Sequence, residues 1–181
     1  TVEVLDGDSL TVYIETAAGV WWTYRLTRVS NSPLAGNWKL DGEGSVGVGP
    51  APLNTEWFNN SPAFDAGIDV RPCWFDDVYE FNADGSFRNI LGADTWIEVW
   101  QGGTDACGAP VAPHDGSNGA IFEYDEDAST LKLTGRGAYL GLAKVANGEE
   151  LASPAAAPET VTYTVEVLDG DSLTVYIETA A

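Results

Sequence analysis

Apolar and polar residues alternate along most of this chain, in short runs that end at Gly, Pro, Asn or Asp. Because side chains on a β-strand point alternately to its two faces, this spacing of two predicts half-buried strands. The predicted strands cover residues 1–5, 9–16, 21–29, 37–40, 77–82, 86–91, 95–101, 120–124, 130–134, 139–144 and 161–168. No helix is predicted beyond a single turn near residues 149–152, because the apolar spacing is two and not 3.6. The pattern therefore predicts an all-β protein of antiparallel strands.

Two segments lack a periodic pattern and are predicted as long loops. Residues 43–72 are rich in Gly and Pro but also carry several aromatic residues, and residues 102–119 form the second segment. Long loops in a compact domain usually carry function. We therefore look for ligand-contacting side chains in these two segments.

The first 18 residues, TVEVLDGDSLTVYIETAA, recur letter for letter as residues 164–181, an offset of 163 residues. Such identity indicates either an array of near-identical modules or a segment duplicated by design, and we favour the array. Residues 1–30 are then closing strands of the module, and residues 34–181 form the main β domain of the 163-residue repeat. The predicted fold is an antiparallel β-barrel or sandwich whose terminal strands are out of frame, or permuted.

Charge and cysteine content narrow the classes of partner and compartment. The formal net charge is −20, from 28 acidic and 8 basic residues, which argues against nucleic acid as a partner. No apolar run is long enough for membrane insertion. The two cysteines, Cys73 and Cys107, suit a single disulfide in an oxidising compartment. We therefore expect an extracellular or cell-surface protein.

A set of six motifs resembles a repeat module of extracellular proteins from marine Bacteroidetes. The motifs are LAGNWKL (34–40), FDDVYEFNADGSF (75–87), TWIEVWQGG (95–103), CGAPVAPHDGSN (107–118), GAYLGLAKV (137–145) and VWWTYRLTR (20–28). In such proteins the module occurs in tandem, or at the end of carbohydrate-degrading enzymes and large surface proteins. The resemblance implies a secreted β module that brings no catalytic residues of its own.

One part of this resemblance is lipocalin-like. The sequence Gly36-x-Trp38, together with Arg25 or Arg28 in the closing strand, matches the pattern in which a Trp packs under an Arg to plug a small barrel. The resemblance therefore implies a small, closed β-barrel. The two long loops exceed a plain lipocalin, so an open sandwich remains the alternative architecture.

The repeated hairpin is the predicted functional site. One module has room for one such hairpin, and an additional copy leaves an unpaired strand edge that takes up a partner. We therefore expect a structural repeat of a secreted filament or large surface adhesin, in which neighbouring copies join head to tail. The predicted joint residues are Val2, Val4, Leu10, Val12, Ile14, Val165, Val167, Leu173, Val175 and Ile177. The alternative is a string of modules that are each closed within themselves.

A carbohydrate-binding module is the second functional hypothesis, since sugar sites combine flat aromatic side chains with fixed polar groups. Its candidate residues are Trp57, Trp74, Trp96, Trp100, Gln101, His114 and Asp115. This hypothesis implies extracellular polysaccharide as the partner. The alternative role for these aromatic residues is to fill the core and hold the two loops.

Three further chemistries have weaker signals. Calcium is a candidate ligand at the turn carboxylates Asp6, Asp8, Asp125 and Asp127, although none has the EF-hand spacing. The tripeptide Asp-Ser-Leu resembles a short O-glycan acceptor pattern and makes Ser9 and Ser172 candidate modification sites. Glycoside hydrolysis needs two carboxylates across a cleft, and the candidate carboxylates are Asp76, Asp77, Glu80 and Glu98. We expect no enzymatic activity. Calcium is the one candidate cofactor, and the sequence does not establish it.

Overall fold

The protein consists of two compact units, Thr1–Ser32 and Pro33–Ala181, here called the N-terminal unit and the main unit. The computed structural model describes residues 2–6, 9–27, 32–61 and 71–179. Within these ranges every regular element is a β-strand or a short 3₁₀ turn, and no α-helix occurs. No helix in the described ranges has the length and hydropathy needed to cross a membrane. The prediction of an all-β, antiparallel fold is thus confirmed.

The N-terminal unit is a three-stranded antiparallel sheet. Its strands are β1 (Val2–Asp6), β2 (Ser9–Ala17) and β3 (Val20–Thr27), and β2 lies in the middle. The predicted turn between β1 and β2 includes Gly7 and Asp8, which lie outside the described residues. Arg28, the second candidate for the lipocalin-like plug, also lies outside them, so that contact stays a prediction.

The main unit contains thirteen strands within its described residues. They are β4 (Gly36–Trp38), β5 (Gly47–Val48), β6 (Phe58–Asn59), β7 (Val78–Phe81), β8 (Ser86–Ile90), β9 (Thr95–Ile97), β10 (Ala106–Gly108), β11 (Ala120–Asp125), β12 (Thr130–Thr134), β13 (Val145–Ala146), β14 (Glu149–Glu150), β15 (Thr160–Asp169) and β16 (Ser172–Tyr176). Seven of them form one curled antiparallel sheet in the order β16-β15-β12-β11-β8-β7-β4. The others pair in twos, as β5 with β6, β9 with β10 and β13 with β14.

The inner face of the seven-stranded sheet forms the main core. Burial alternates along β7, β8, β12 and the first half of β15, as the period of two predicts. Phe81 lies against both Phe87 and Phe122 in edge-to-face geometry, with ring centroids 4.9 Å apart in each pair. The buried members of this core are Leu34, Tyr79, Phe81, Phe87, Phe122, Leu131, Leu133, Ala138, Val161, Tyr163 and Val165.

A disulfide organises the second, smaller core. Cys73 lies in a 3₁₀ turn (Pro72–Trp74) and bonds to Cys107 in β10, with 5.9 Å between the two Cα atoms. Trp74 and Trp96 pack beside it. The predicted pairing is therefore present, and a buried disulfide of this kind is typical of proteins that fold in oxidising compartments.

Two predicted strands are wrong. Residues 95–101 do not form one strand, because β9 ends at Ile97 and a 3₁₀ turn follows at Val99–Gln101. Glu98 and Gln101 form a capping box around this turn, which competes with continued strand pairing. Residues 139–144 also form no strand. Their backbone is instead held by side chains of the main core, as when Gly141 N donates to the Tyr79 hydroxyl at 3.0 Å.

The two predicted loops and the predicted helical turn also differ in detail. The first loop contains the small β5–β6 ladder, and the second contains β10. The predicted helical turn near residues 149–152 is wrong, because strand β14 occupies its start and pairs with β13. Side-chain amides stabilise the first loop. Asn60 is fully buried, and its Oδ1 accepts a hydrogen bond from Val46 N at 2.9 Å.

Loss of the disulfide should destabilise the main unit substantially. Its two cysteines are 34 residues apart in sequence, and a cross-link that closes a loop of this size contributes about 4 kcal/mol through the unfolded state. We expect the double substitution Cys73→Ser/Cys107→Ser to lower the free energy of unfolding by about this amount, measured by urea denaturation. Wild-type protein that unfolds at the same urea concentration with and without a reductant would contradict this role.

Candidate functional site

The two copies of the repeated segment form the same hairpin. In the first copy Val2 pairs with Val12 and Leu5 with Leu10. In the second copy the equivalent residues pair in the same way across β15 and β16. Even the irregularity in register recurs, between Val2 and Val4 in the first copy and between the equivalent valines in the second. The sequence thus specifies one hairpin geometry in two different surroundings.

The second copy of the hairpin is packed into the main core. Val165 is buried, and Leu173, Val175 and Ile177 are partly buried against the core cluster. Val167, another predicted joint residue, is exposed, and the neighbouring Leu168 packs against the core instead. The β-bulge between Val165 and Val167 explains this, since one additional residue reverses the faces of all that follow.

Most of the equivalent face in the first copy is exposed to solvent, while Leu10 and Val12 are half-buried. Opposite residues in an antiparallel pair share a face, and Leu10 pairs with Leu26, Val12 with Tyr24 and Ile14 with Trp22. We call this set the apolar face; its members are Leu10, Val12, Ile14, Trp22, Tyr24 and Leu26. Ile14 is 55% exposed and Trp22 is 57% exposed, whereas Ile177, the equivalent of Ile14, packs against the main core.

Three members of the apolar face were not among the predicted joint residues, namely Trp22, Tyr24 and Leu26. Their spacing of two along β3 was visible in the sequence. What the sequence lacked was the register that places them opposite β2. The other face of the sheet carries mixed side chains: Trp21 contacts Tyr13 at 5.4 Å between ring centroids, and it lies opposite Glu15.

The predicted joint residues that precede β2 are only partly described. The backbone of Val2 and Val4 is placed, but their side chains lie outside the described part of the chain. The same holds for Ser9 as a candidate glycan acceptor, whereas the equivalent Ser172 is exposed at the start of β16.

The aromatic residues proposed for sugar binding do not form an exposed row. Trp74 is 1% and Trp96 is 7% exposed, so both are core residues and the prediction that they contact a ligand is wrong. The Arg71 guanidinium lies 4.5 Å from the Trp96 ring centroid and 5.7 Å from that of Trp74. A cation over an aromatic face stabilises the packing of the loop that carries it. Trp57, at 63% exposed, remains accessible.

The remaining candidates for sugar binding are engaged in internal contacts. Trp100 is half-buried, and its indole N–H donates to Glu98 at 3.0 Å. His114 is buried between the rings of Trp100 and Tyr139, and this burial lowers the pKa of its imidazole. Asp115 accepts hydrogen bonds from the backbone and hydroxyl of Ser117, which lower the pKa of its carboxyl.

A shallow depression of about 300 Å³ lies beside the disulfide in the second loop. Gln101 is the one predicted ligand residue among those that line it. The Gln101 side-chain oxygen already accepts the Glu98 backbone N–H at 3.0 Å. The depression therefore offers a ligand few converging polar side chains.

The predicted calcium ligands are turn residues where the structure describes them. Asp125 accepts a hydrogen bond from Ala128 N at 2.9 Å, which is the usual role of Asp at such a turn. Asp8 and the side chain of Asp6 lie outside the described residues. Among the described residues, one group has metal-ligand spacing, namely Cys73, Asp94 and Cys107. Its two sulfur atoms are joined in the disulfide and so do not act as thiolate ligands.

Asp77 is a buried carboxyl immediately before β7. It is 1% exposed, and its Oδ2 accepts a hydrogen bond from the Thr95 hydroxyl at 2.6 Å. Its Oδ1 has no hydrogen-bonding partner among the described residues. Burial raises the pKa of this carboxyl from 3.8 to about 7, assisted by the nearby Asp76 and Asp94 and opposed by the hydrogen bond from Thr95.

No protein-family model matches this chain, and no curated protein or solved structure matches it either. The Bacteroidetes-type resemblance therefore stays a prediction, and the function is inferred from the geometry of the two hairpins.

Asp77 should make stability depend on pH. Between about pH 4 and pH 7 the folded protein holds a proton on Asp77 that the unfolded chain has released, so its contribution to stability falls as the pH rises through this range. The substitution Asp77→Asn keeps a neutral side chain at every pH. We expect the free energy of unfolding of the variant, relative to wild type, to increase by about 3 kcal/mol from pH 4 to pH 7.

The matched control for this measurement is Asp76→Asn, at the neighbouring exposed position. Urea denaturation at several pH values gives the difference between each variant and wild type. A difference for Asp77→Asn that is constant across pH, or equal to that of the control, would show that Asp77 is ionised in the folded state.

Proposed function

We propose that this chain is a structural, self-associating repeat module of a secreted filament or large surface adhesin. In this proposal, copies join head to tail through their terminal hairpins. The supporting observation is that one hairpin sequence occurs twice with one register, while its apolar face is packed in the second copy and mostly exposed in the first. A sheet face made of apolar side chains is stable when another layer of structure covers it.

The apolar face is large enough to drive association. Trp22, Tyr24 and Leu26 are each about half exposed. Covering the exposed half of a Trp or Tyr side chain removes on the order of 100 Å² from water and yields about 2 kcal/mol. Contiguous apolar surface of this kind on a soluble protein is typical of an interaction site.

The charge of the chain fits association that is driven by apolar contacts. Copies with a net charge of −20 repel one another, and salt screens this repulsion. The same charge keeps a long array of modules soluble. The Cys73–Cys107 disulfide supports the assignment to an extracellular or cell-surface location.

The carbohydrate-binding hypothesis has less support. Of its four tryptophans, Trp57 is the one that is mostly exposed, and two of the others belong to the core. Polysaccharide recognition usually requires several accessible aromatic rings with polar groups around them. We therefore propose self-association as the function and keep polysaccharide as the second candidate partner.

Two adjacent tryptophans provide a matched test of the apolar face. Trp22 lies on this face and Trp21 lies on the opposite one, and their exposed fractions are 57% and 53%. We expect Trp22→Asp to weaken association of the full chain roughly thirtyfold or more, because the apolar burial is replaced by a charge. Trp21→Asp should have a much smaller effect. Sedimentation equilibrium over a range of concentrations measures both.

Two results would contradict the proposal. A wild-type chain that stays monomeric up to millimolar concentration has no self-association to explain. Equal weakening by both substitutions would show that the apolar face has no particular part in the contact. Circular dichroism of each variant shows that its strand content is unchanged.

Salt gives an independent check on the same proposal. Since like charges oppose the contact, raising the NaCl concentration from about 0.01 M to about 1 M, where the Debye length falls from roughly 30 Å to 3 Å, should strengthen association. Sedimentation at the two salt concentrations measures the change. Association that weakens with salt would instead indicate contact between oppositely charged surfaces.

A further inference from the structure

The central strand of the N-terminal unit and the last strand of the main sheet have the same sequence but different neighbours. Strand β2 pairs with β1 on one edge and with β3 on the other. Its equivalent, β16, pairs with β15 on one edge and ends the seven-stranded sheet on the other, within the described residues. The edge of β16 thus has the hydrogen-bonding pattern and side chains to which β3 pairs in the N-terminal unit.

We infer that β3 of a second copy of this chain adds to the edge of β16 as an eighth strand, in the register that it has against β2. This inference rests on the proposed self-association and specifies its donor, its acceptor and its geometry. Each copy would carry one donor strand and one acceptor edge. Because these are different surfaces, the contact is heterologous and propagates from copy to copy.

The register is fixed by the pairing in the N-terminal unit. There Leu26 lies opposite Leu10, and Trp22 lies opposite Ile14. Transfer to the second hairpin, 163 residues later in sequence, places Leu26 opposite Leu173 and Trp22 opposite Ile177. Tyr24 falls opposite Val175 by the same rule.

This register covers the exposed part of the apolar face. Leu173, Val175 and Ile177 point to the main core, where they pack against its buried residues. Side chains opposite them share their face. Trp22 and Tyr24 of the added strand would therefore extend the main core, while Trp21 would remain on the outer face.

The direction of the strands permits closure of the sheet. All neighbouring strands from β4 to β16 are antiparallel, and β3 is antiparallel to β2. An eighth strand next to β16 therefore runs antiparallel to β4, the strand at the opposite end of the curled sheet. Eight strands enclose an interior that side chains can fill, and Trp38 of β4 already packs against this core.

Strand exchange between copies leaves the number and type of strand-pairing contacts unchanged. When β3 leaves β2 for the edge of β16, it exchanges one partner strand for another of identical sequence. Backbone hydrogen bonds and cross-strand pairs are therefore equivalent before and after. The difference that remains is the burial of Trp22, Tyr24 and Leu26, which favours the exchanged state.

Cysteine cross-linking between two single variants tests the donor, the acceptor and the register. Arg25 pairs with Thr11 in the N-terminal unit, so the proposed register places it opposite Thr174, and both side chains are exposed. Full-length Arg25→Cys and Thr174→Cys proteins are mixed in urea without reductant, refolded together and oxidised. We expect a covalent heterodimer as the main cross-linked product, with the bond located by peptide mass spectrometry.

The matched control is a pair that is two residues out of register, Thr23→Cys with Thr174→Cys. Diagonal neighbours lie beyond the usual Cα separation of a disulfide, so we expect several-fold less heterodimer. Equal cross-linking by both pairs would overturn the register. Absence of a heterodimer, in protein that sedimentation shows to associate, would overturn strand addition and leave self-association standing.

One further variant distinguishes a second copy from the chain's own β3. The double substitution Arg25→Cys/Thr174→Cys, refolded and oxidised at high dilution, should give little cross-linked monomer. A cross-linked monomer as the main product would show that β3 reaches β16 within one chain, and would overturn the second copy as donor.

Discussion

The main constraint on this protein is that each of its two larger sheets has one apolar face that must be covered. In the main unit, the inner face of the curled seven-stranded sheet forms the main core, where Phe81, Phe87 and Phe122 of three neighbouring strands pack together. The N-terminal unit has a single layer of three strands, so its described residues provide no second layer for its apolar face. The contrast between the two units motivates the proposal of association between copies.

The repeated hairpin shows that local sequence determines strand pairing, whereas the surroundings determine burial. Pairing, register and bulge are the same in both copies, because alternation and turn residues act over short distances. Burial differs, since it depends on what lies opposite the face. Ile14 is 55% exposed while its equivalent, Ile177, packs against the main core. An identical segment can therefore be core in one place and an interaction surface in another.

Buried polar groups distinguish the main unit from a purely apolar core. Asp77 bonds to Thr95, and the hydroxyls of Tyr79 and Tyr163 accept backbone N–H groups from the segment 139–144. These bonds hold an irregular segment against the sheet without strand pairing. The disulfide and the stacked Arg71 hold the two loops in a similar way, so the aromatic residues of the loops stabilise the fold.

The sequence alone predicted the all-β class, most strands, the duplicated hairpin and the Cys73–Cys107 disulfide, because period-two alternation, exact repetition and cysteine number are local properties. It did not predict the break at Glu98, where a capping box replaces strand pairing. Nor could it separate buried tryptophans from exposed ones, since Trp74 and Trp57 differ only in what packs around them. The bulge that turns Val167 outward, and the register that gathers Trp22, Tyr24 and Leu26 on one face, were decided by tertiary structure, because strand pairing joins residues that are distant in sequence.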